Sequence, residues 1–176
     1  MSADEKEEAR SERFRCFVRW LQSYTLFRGM TAEEVERILR LGVRRRMRRM
    51  DTIFQEGTVE ESFYLILEGS VAITQNVGGQ EQHLATLEEG HCFGEVGILQ
   101  AGPRTASAAA RSDGLLLVVD RKAAEGLGPE LSLKFYRNLA LTLVEKLAIA
   151  NSTIDRLTTH LREVTSAPRP GTAGPA

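Results

Sequence analysis

Between Val43 and Asp120 the apolar residues come in short runs, each cut by a glycine or a polar turn. Thr52-Ile53-Phe54, Ser62-Phe63-Tyr64-Leu65-Ile66-Leu67, Val71-Ala72-Ile73-Thr74, His83-Leu84-Ala85-Thr86-Leu87 and Leu115-Leu116-Leu117-Val118-Val119 have the length and composition of strands. Glu56-Gly57, Glu68-Gly69, Gly78-Gly79 and Glu89-Gly90 supply the turns between them. Many short strands at near-regular spacing predict a mainly β fold: an antiparallel barrel, roll or jelly roll.

Helical patterns flank this block. Phe14, Phe17, Val18 and Leu21 recur at helical spacing and make one apolar stripe, while the residues before Ser11 lack it and are expected to fray. Thr31-Ala32-Glu33-Glu34 reads as a capping box opening a short helix, with Val35, Ile38 and Leu39 inward and an end near Gly42.

After Pro129 a second helical pattern is longer. Tyr136, Ala140, Leu143, Leu147, Ala150, Ile154, Leu157, Leu161 and Val164 alternate spacings of four and three. That is an a/d register held for about four heptads, the pattern of a two-stranded coiled coil. It predicts a homodimer formed through residues 136–164. The organisation expected is an N-terminal helical segment (1–30), a β domain (31–128), a coiled-coil helix (129–165) and a disordered Pro/Gly-rich tail (166–176).

Charge and composition exclude several classes of function. A formal net charge of −1 gives no global field to hold nucleic acid, and no apolar run reaches the roughly 18–20 residues of a membrane span. The acidic N-terminus is unlike a signal peptide, so a cytoplasmic location and no membrane association are expected. Cys16 and Cys92 are the only cysteines, and His83, His91 and His160 are scattered, so no metal site is expected. The run Arg44-Arg45-Arg46-Met47-Arg48-Arg49 reads as a solvated edge strand, or as a surface for an acidic partner or polyanion.

The chemistry concentrates in Phe93-Gly94-Glu95-Val96-Gly97 and Pro103-Arg104-Thr105-Ala106-Ser107. Backbone amides around Gly94 to Gly97, at a turn entering a short helix, can form an anion nest, and glycine lets a ligand approach without a Cβ in the way. Arg104 brings a permanent charged fork for a phosphate, and Thr105 a hydroxyl beside it. Glu95 would repel a phosphate but can accept from a sugar hydroxyl or hold Arg104. The plainer alternative is a structural Glu95–Arg104 ion pair, with the glycines serving turns alone. No paired metal ligands, activated nucleophile or catalytic base accompanies them, so catalysis is not expected.

Over about Leu26 to Ala124 the chain resembles the cyclic nucleotide-binding domain family. The resemblance lies in Leu26-Phe27-Arg28-Gly29-Met30, Ile53-Phe54-Gln55-Glu56-Gly57, Phe63-Tyr64-Leu65-Ile66-Leu67-Glu68-Gly69-Ser70-Val71, and a phosphate-binding cassette from Phe93 to Ser107. It implies a β-roll of about eight strands with a helix in the cassette and helices at both ends. It implies that Glu95 takes the ribose 2′-hydroxyl and Arg104 the cyclic phosphate, with contacts from Gly94, Val96, Gly97 and Thr105. The ligand implied is cAMP or cGMP, and Thr105 is compatible with either.

The C-terminal helix is similar to the dimerisation helix of the bacterial catabolite activator type, where partner helices cover the purine. Ala150 and Asn151 stand where that type carries hydroxyl residues. Asn151 can present donor and acceptor to a purine edge, or serve as a polar flank fixing the helix register. Only the Pro/Gly tail follows Val164, so no helix-turn-helix module and no direct DNA binding are expected. The function implied is a cyclic-nucleotide sensor signalling through a helix dimer. The alternative is a β-roll scaffold with an unused pocket that binds a protein partner.

Overall fold

The computed structural model describes residues 3–166, with side chains placed from Glu5 to Arg162. The tail at 167–176 and the side chain of Val164 lie outside the described residues. The described residues divide between Leu141 and Thr142 into two compact units.

The first helix, α1 (Ala3–Leu21), begins well before its apolar stripe. Residues 3–10, expected to fray, are helical, and their Ala, Glu, Lys and Arg residues are strong helix formers even without a stripe. Val18 and Leu21 are buried, with Phe14 and Phe17 packed partly against them. A 3₁₀ turn at Thr25–Phe27 then buries Leu26 and Phe27.

The capping box forms as its sequence predicts. The Glu34 amide donates to Thr31 Oγ1 at 3.2 Å, and the Thr31 amide donates to Glu34 Oε2 at 2.8 Å. It opens α2 (Ala32–Leu41), which buries Val35, Ile38 and Leu39. Hydrogen bonds from Lys134 and then from the Thr31 amide hold the Glu34 carboxyl below its ordinary range. Gly42 ends α2 at an ordinary φ of −76°, so conformational freedom is not its role. A Cβ there would stand 2.7 Å from Leu117 Cδ1: the helix end and the sheet touch at that point.

Eight strands follow: β1 (Val43–Met47), β2 (Thr52–Phe54), β3 (Ser62–Glu68), β4 (Val71–Val77), β5 (Gln80–Leu87), β6 (Cys92–Phe93), β7 (Ser107–Ala110) and β8 (Gly114–Asp120). They form two four-stranded antiparallel sheets, ordered β1-β8-β3-β6 and β2-β7-β4-β5. This is a β-roll, with α3 (Glu95–Leu99) between β6 and β7 and α4 (Arg121–Glu125) after β8. The expected strands are all present with ends extended by up to three residues. β6 and β7 carried no strand signal, because one has two residues and the other is Ser-Ala-Ala-Ala. β1, the arginine run, is an edge strand, and its four residues from Val43 to Arg46 are all exposed.

β3 is buried along almost its whole length, and its side chains part by parity. Phe63, Leu65 and Leu67 enter a core shared with α1, α2 and the C-terminal helix. Tyr64 and Ile66 enter a second core between the sheets, with Met47, Ile53, Phe54, Val71, Phe93 and Leu116.

The last element, α5 (Pro129–Ser166), is one continuous helix. Its opening turns bury Leu131, Phe135, Asn138 and Leu139. Phe135 meets Phe63 edge to face at 5.8 Å, and Asn138 Nδ2 donates to the carbonyls of Leu26 at 3.0 Å and Arg28 at 2.8 Å. The heptad register expected from Tyr136 differs from this buried face: Tyr136 is half-buried and Ala140 exposed. These turns pack on the chain's own core, which selects its own stripe. From Thr142 onward α5 forms the second unit, where Leu147, Ile154, Leu157 and Leu161 are exposed. No helix among the described residues is long and apolar enough to cross a membrane.

Phe135 is fully buried, so Phe135→Ala should cost about 3–5 kcal/mol of stability, read as a lower midpoint in urea denaturation.

Candidate functional site

The cassette is built where β6 runs out. Gly94 follows Phe93 with φ of +76°, a left-handed conformation that favours glycine, and caps the N-terminus of α3. A loop then returns the chain to Arg104. Its backbone is fixed to the turn after β2: the Arg104 amide donates to Thr58 O, and the Gly57 amide donates to Arg104 O, each at 2.8 Å. A β-bridge between Val59 and Pro103 closes the same contact.

The Arg104 side chain is held on every side. Nη1 donates to the Gly94 carbonyl at 2.9 Å, and Nη2 donates to the Ser62 carbonyl at 2.8 Å. Nη2 also lies 3.3 Å from Glu60 Oε2, while the guanidinium carbon stands 4.2 Å from the Phe54 ring centroid. Tyr64 lies on the same cation at 5.5 Å and donates its hydroxyl to Glu60 Oε2 at 3.1 Å. Burial, and then the Glu60 charge, raise the Tyr64 phenol above its ordinary range.

Arg104 keeps 5% of its surface exposed, and its Nε has no hydrogen-bond partner among the described residues. A guanidinium so deeply placed, with one half-exposed carboxylate for counter-charge, sits in surroundings that favour a further anion.

The structure assigns the glycines a more definite task than the open approach expected for a ligand. A Cβ on Gly94 would fall 2.8 Å from Arg104 Nη1, and one on Gly97 would fall 2.5 Å from both Nη1 and the Glu60 carbonyl. The space a side chain would occupy is filled by the guanidinium. One amide counted toward the anion nest is also already used, since Gly97 N donates to Gly94 O at 3.1 Å.

Glu95 is buried at the first position of α3, and Val96 beside it is 41% exposed. Thr105 is exposed next to Arg104, and its carbonyl accepts from Gln75 Nε2 at 3.2 Å. The fold therefore gathers Gly94, Glu95, Val96, Gly97, Arg104 and Thr105 within one turn-and-loop structure. Asn151 lies in the second unit, exposed on α5.

Phe54, Glu60, Ser62 and Tyr64 were not singled out from the sequence as parts of the site. Phe54 and Tyr64 stand in strands and in segments that carry the family resemblance, with no ligand role attached, and Ser62 acts through its carbonyl, which no side-chain pattern reveals. Glu60 stands in the acidic run Glu60-Glu61, where nothing local tells which carboxylate turns inward. In the fold Glu61 instead pairs with Arg121 at 3.0 Å.

Residues 44–128 match the family model described as the cyclic nucleotide-binding domain. The β-roll belongs to that family.

Relatives extend the match beyond the domain. The cyclic AMP receptor protein of Thermus thermophilus is 37% identical over 133 residues, covering 75% of this chain and 61% of that protein. Human cGMP-dependent protein kinase 2 is 30% identical over 118 residues, covering 65% of this chain and 15% of the kinase. The chain thus spans less than two thirds of the length of either protein.

Among solved structures, the Thermus thermophilus catabolite activator protein is similar with a TM-score of 0.69 at 36% identity, covering 76% of this chain and 63% of that one. A cyclic nucleotide-binding domain from Methylobacillus flagellatus shares the fold with a TM-score of 0.72 at 21% identity, over 91% of this chain and 88% of that one. The cyclic nucleotide-binding domain contains every partner of Arg104 described above, from Phe54 to Gly94.

Gly97→Ala should displace Arg104 and the Glu60 backbone together. A loss of about 1–3 kcal/mol is expected, visible as a lowered thermal midpoint.

Proposed function

We propose that this chain is a non-enzymatic sensor whose β-roll binds cAMP or cGMP and whose C-terminal helix reports the bound state as a dimer. The observation that carries the binding half is Arg104, a buried cation walled by two glycines in a domain of this family. The cyclic phosphate is its natural counter-ion. Arg104 takes the phosphate, Thr105 adds a hydroxyl, Gly94 and Val96 present the backbone, and Gly97, its own amide given to Gly94 O, leaves room for the guanidinium. Glu95 accepts from the ribose 2′-hydroxyl.

The receptor protein of Thermus thermophilus is named for cyclic AMP and the human kinase for cGMP, which supports a cyclic nucleotide as the ligand class.

The dimer half rests on the exposed stripe of α5. Leu147, Ile154, Leu157 and Leu161 are each about three-fifths exposed at heptad spacing, a stripe that a second copy of the helix would bury. Asn151 stands beside it with a donor and an acceptor for a purine edge. Ligand binding then acts as a population shift, effective only to the extent that one helix arrangement binds nucleotide more tightly.

Isothermal titration with cAMP and cGMP tests the reading. At least one should bind, and Arg104→Ala should weaken it by about 100-fold, the loss of a charge-assisted contact of about 3 kcal/mol. No binding of either by the wild type, or unaltered binding by the variant, contradicts the ligand. A monomeric mass by light scattering, with and without nucleotide, contradicts the helix pair.

A further inference from the structure

We propose that the open edge of β1 is a docking site for an extended, acidic segment of a partner protein, added to the sheet as a further strand. Five of the six residues from Arg44 to Arg49 are arginine, in a chain whose net charge is −1. β1 pairs with β8 on one side, and no strand among the described residues pairs with its other side.

The charge on this edge is uncompensated. Arg44, Arg46, Arg48 and Arg49 make no side-chain hydrogen bond or ion pair among the described residues, and Arg45 reaches only the Ile53 carbonyl at 3.5 Å. Two carboxylates beside the run bind its backbone instead: Asp51 accepts from the Arg48 amide and Asp113 from the Arg49 amide, each at 2.8 Å. Val43 and Met50, exposed by 68% and 80%, bracket the run with apolar surface.

The charge and the backbone groups of this edge choose its occupant. A second copy of β1 would bring like charges face to face, so the edge repels its own kind. The phosphates of a nucleic acid backbone offer acceptors only, whereas a strand edge presents carbonyls as well as amides, and phosphate oxygens would confront those carbonyls. An acidic peptide satisfies both sets. In an extended segment successive side chains alternate between faces at about 3.3 Å per residue, the same alternation that places Arg44 and Arg46 on one face and Arg45 on the other. Apolar residues between its carboxylates would cover Val43 and Met50.

The probe is a fluorescent peptide of alternating glutamate and valine, read by anisotropy against the full chain. It should bind, and more weakly as salt rises. Arg44→Glu with Arg46→Glu should lower the affinity by at least about tenfold, and the milder Arg44→Gln with Arg46→Gln should fall between. Failure of the wild type to bind overturns the proposal. So do equal binding by the charge-reversed variant, equal binding of a peptide with proline in place of valine, and tighter binding of a single-stranded oligonucleotide of the same charge.

Discussion

Alternate side chains of β3 enter two different cores, and the rest of the fold is arranged around that division. Phe63, Leu65 and Leu67 pack among the helices, while Tyr64 and Ile66 pack between the sheets. Three consecutive residues then join the site to the start of α5. The Ser62 carbonyl and the Tyr64 ring hold Arg104, and Phe63 between them meets Phe135. The contacts to Arg104 and the contact to the start of the last helix are thus made from one stretch of strand, with no loop between them.

The second constraint is electrostatic. Arg104 is buried against two carbonyls, one carboxylate and the rings of Phe54 and Tyr64, and its Nε has no hydrogen-bond partner among the described residues. Such a cation is costly to remove from water unless an anion completes its surroundings. Glu60 completes them only in part, at 3.3 Å and from the solvent side. Gly94 and Gly97 are what make the placement sterically possible, and their role is tied to Arg104 more than to backbone freedom alone.

Much of this was legible in the chain. The strands from Thr52 to Val119 announced themselves by apolar runs and glycine turns, and Thr31-Ala32-Glu33-Glu34 by a local hydrogen-bond pattern that needs no tertiary context. Gly94, Glu95, Gly97 and Arg104 were visible because their chemistry is in the side chains, or in the lack of one. What stayed hidden acts through the backbone or at a distance. Ser62 contributes a carbonyl, Glu60 is one of two adjacent glutamates, and β7 is a run of small residues whose strand character comes from its neighbours. The heptad pattern was continuous across α5, yet its first turns obey the chain's own core. Leu131, Phe135, Asn138 and Leu139 are the buried positions there, and only the three-dimensional packing selects them.

The central claim is that Arg104 receives the phosphate of a cyclic nucleotide. A crystal structure of the full chain grown with cAMP or cGMP tests it most directly. The account predicts a phosphate oxygen within hydrogen-bond distance of the Arg104 guanidinium and the ribose 2′-hydroxyl on Glu95. A nucleotide seated elsewhere, with Arg104 still held only by Gly94, Ser62 and Glu60, would contradict it.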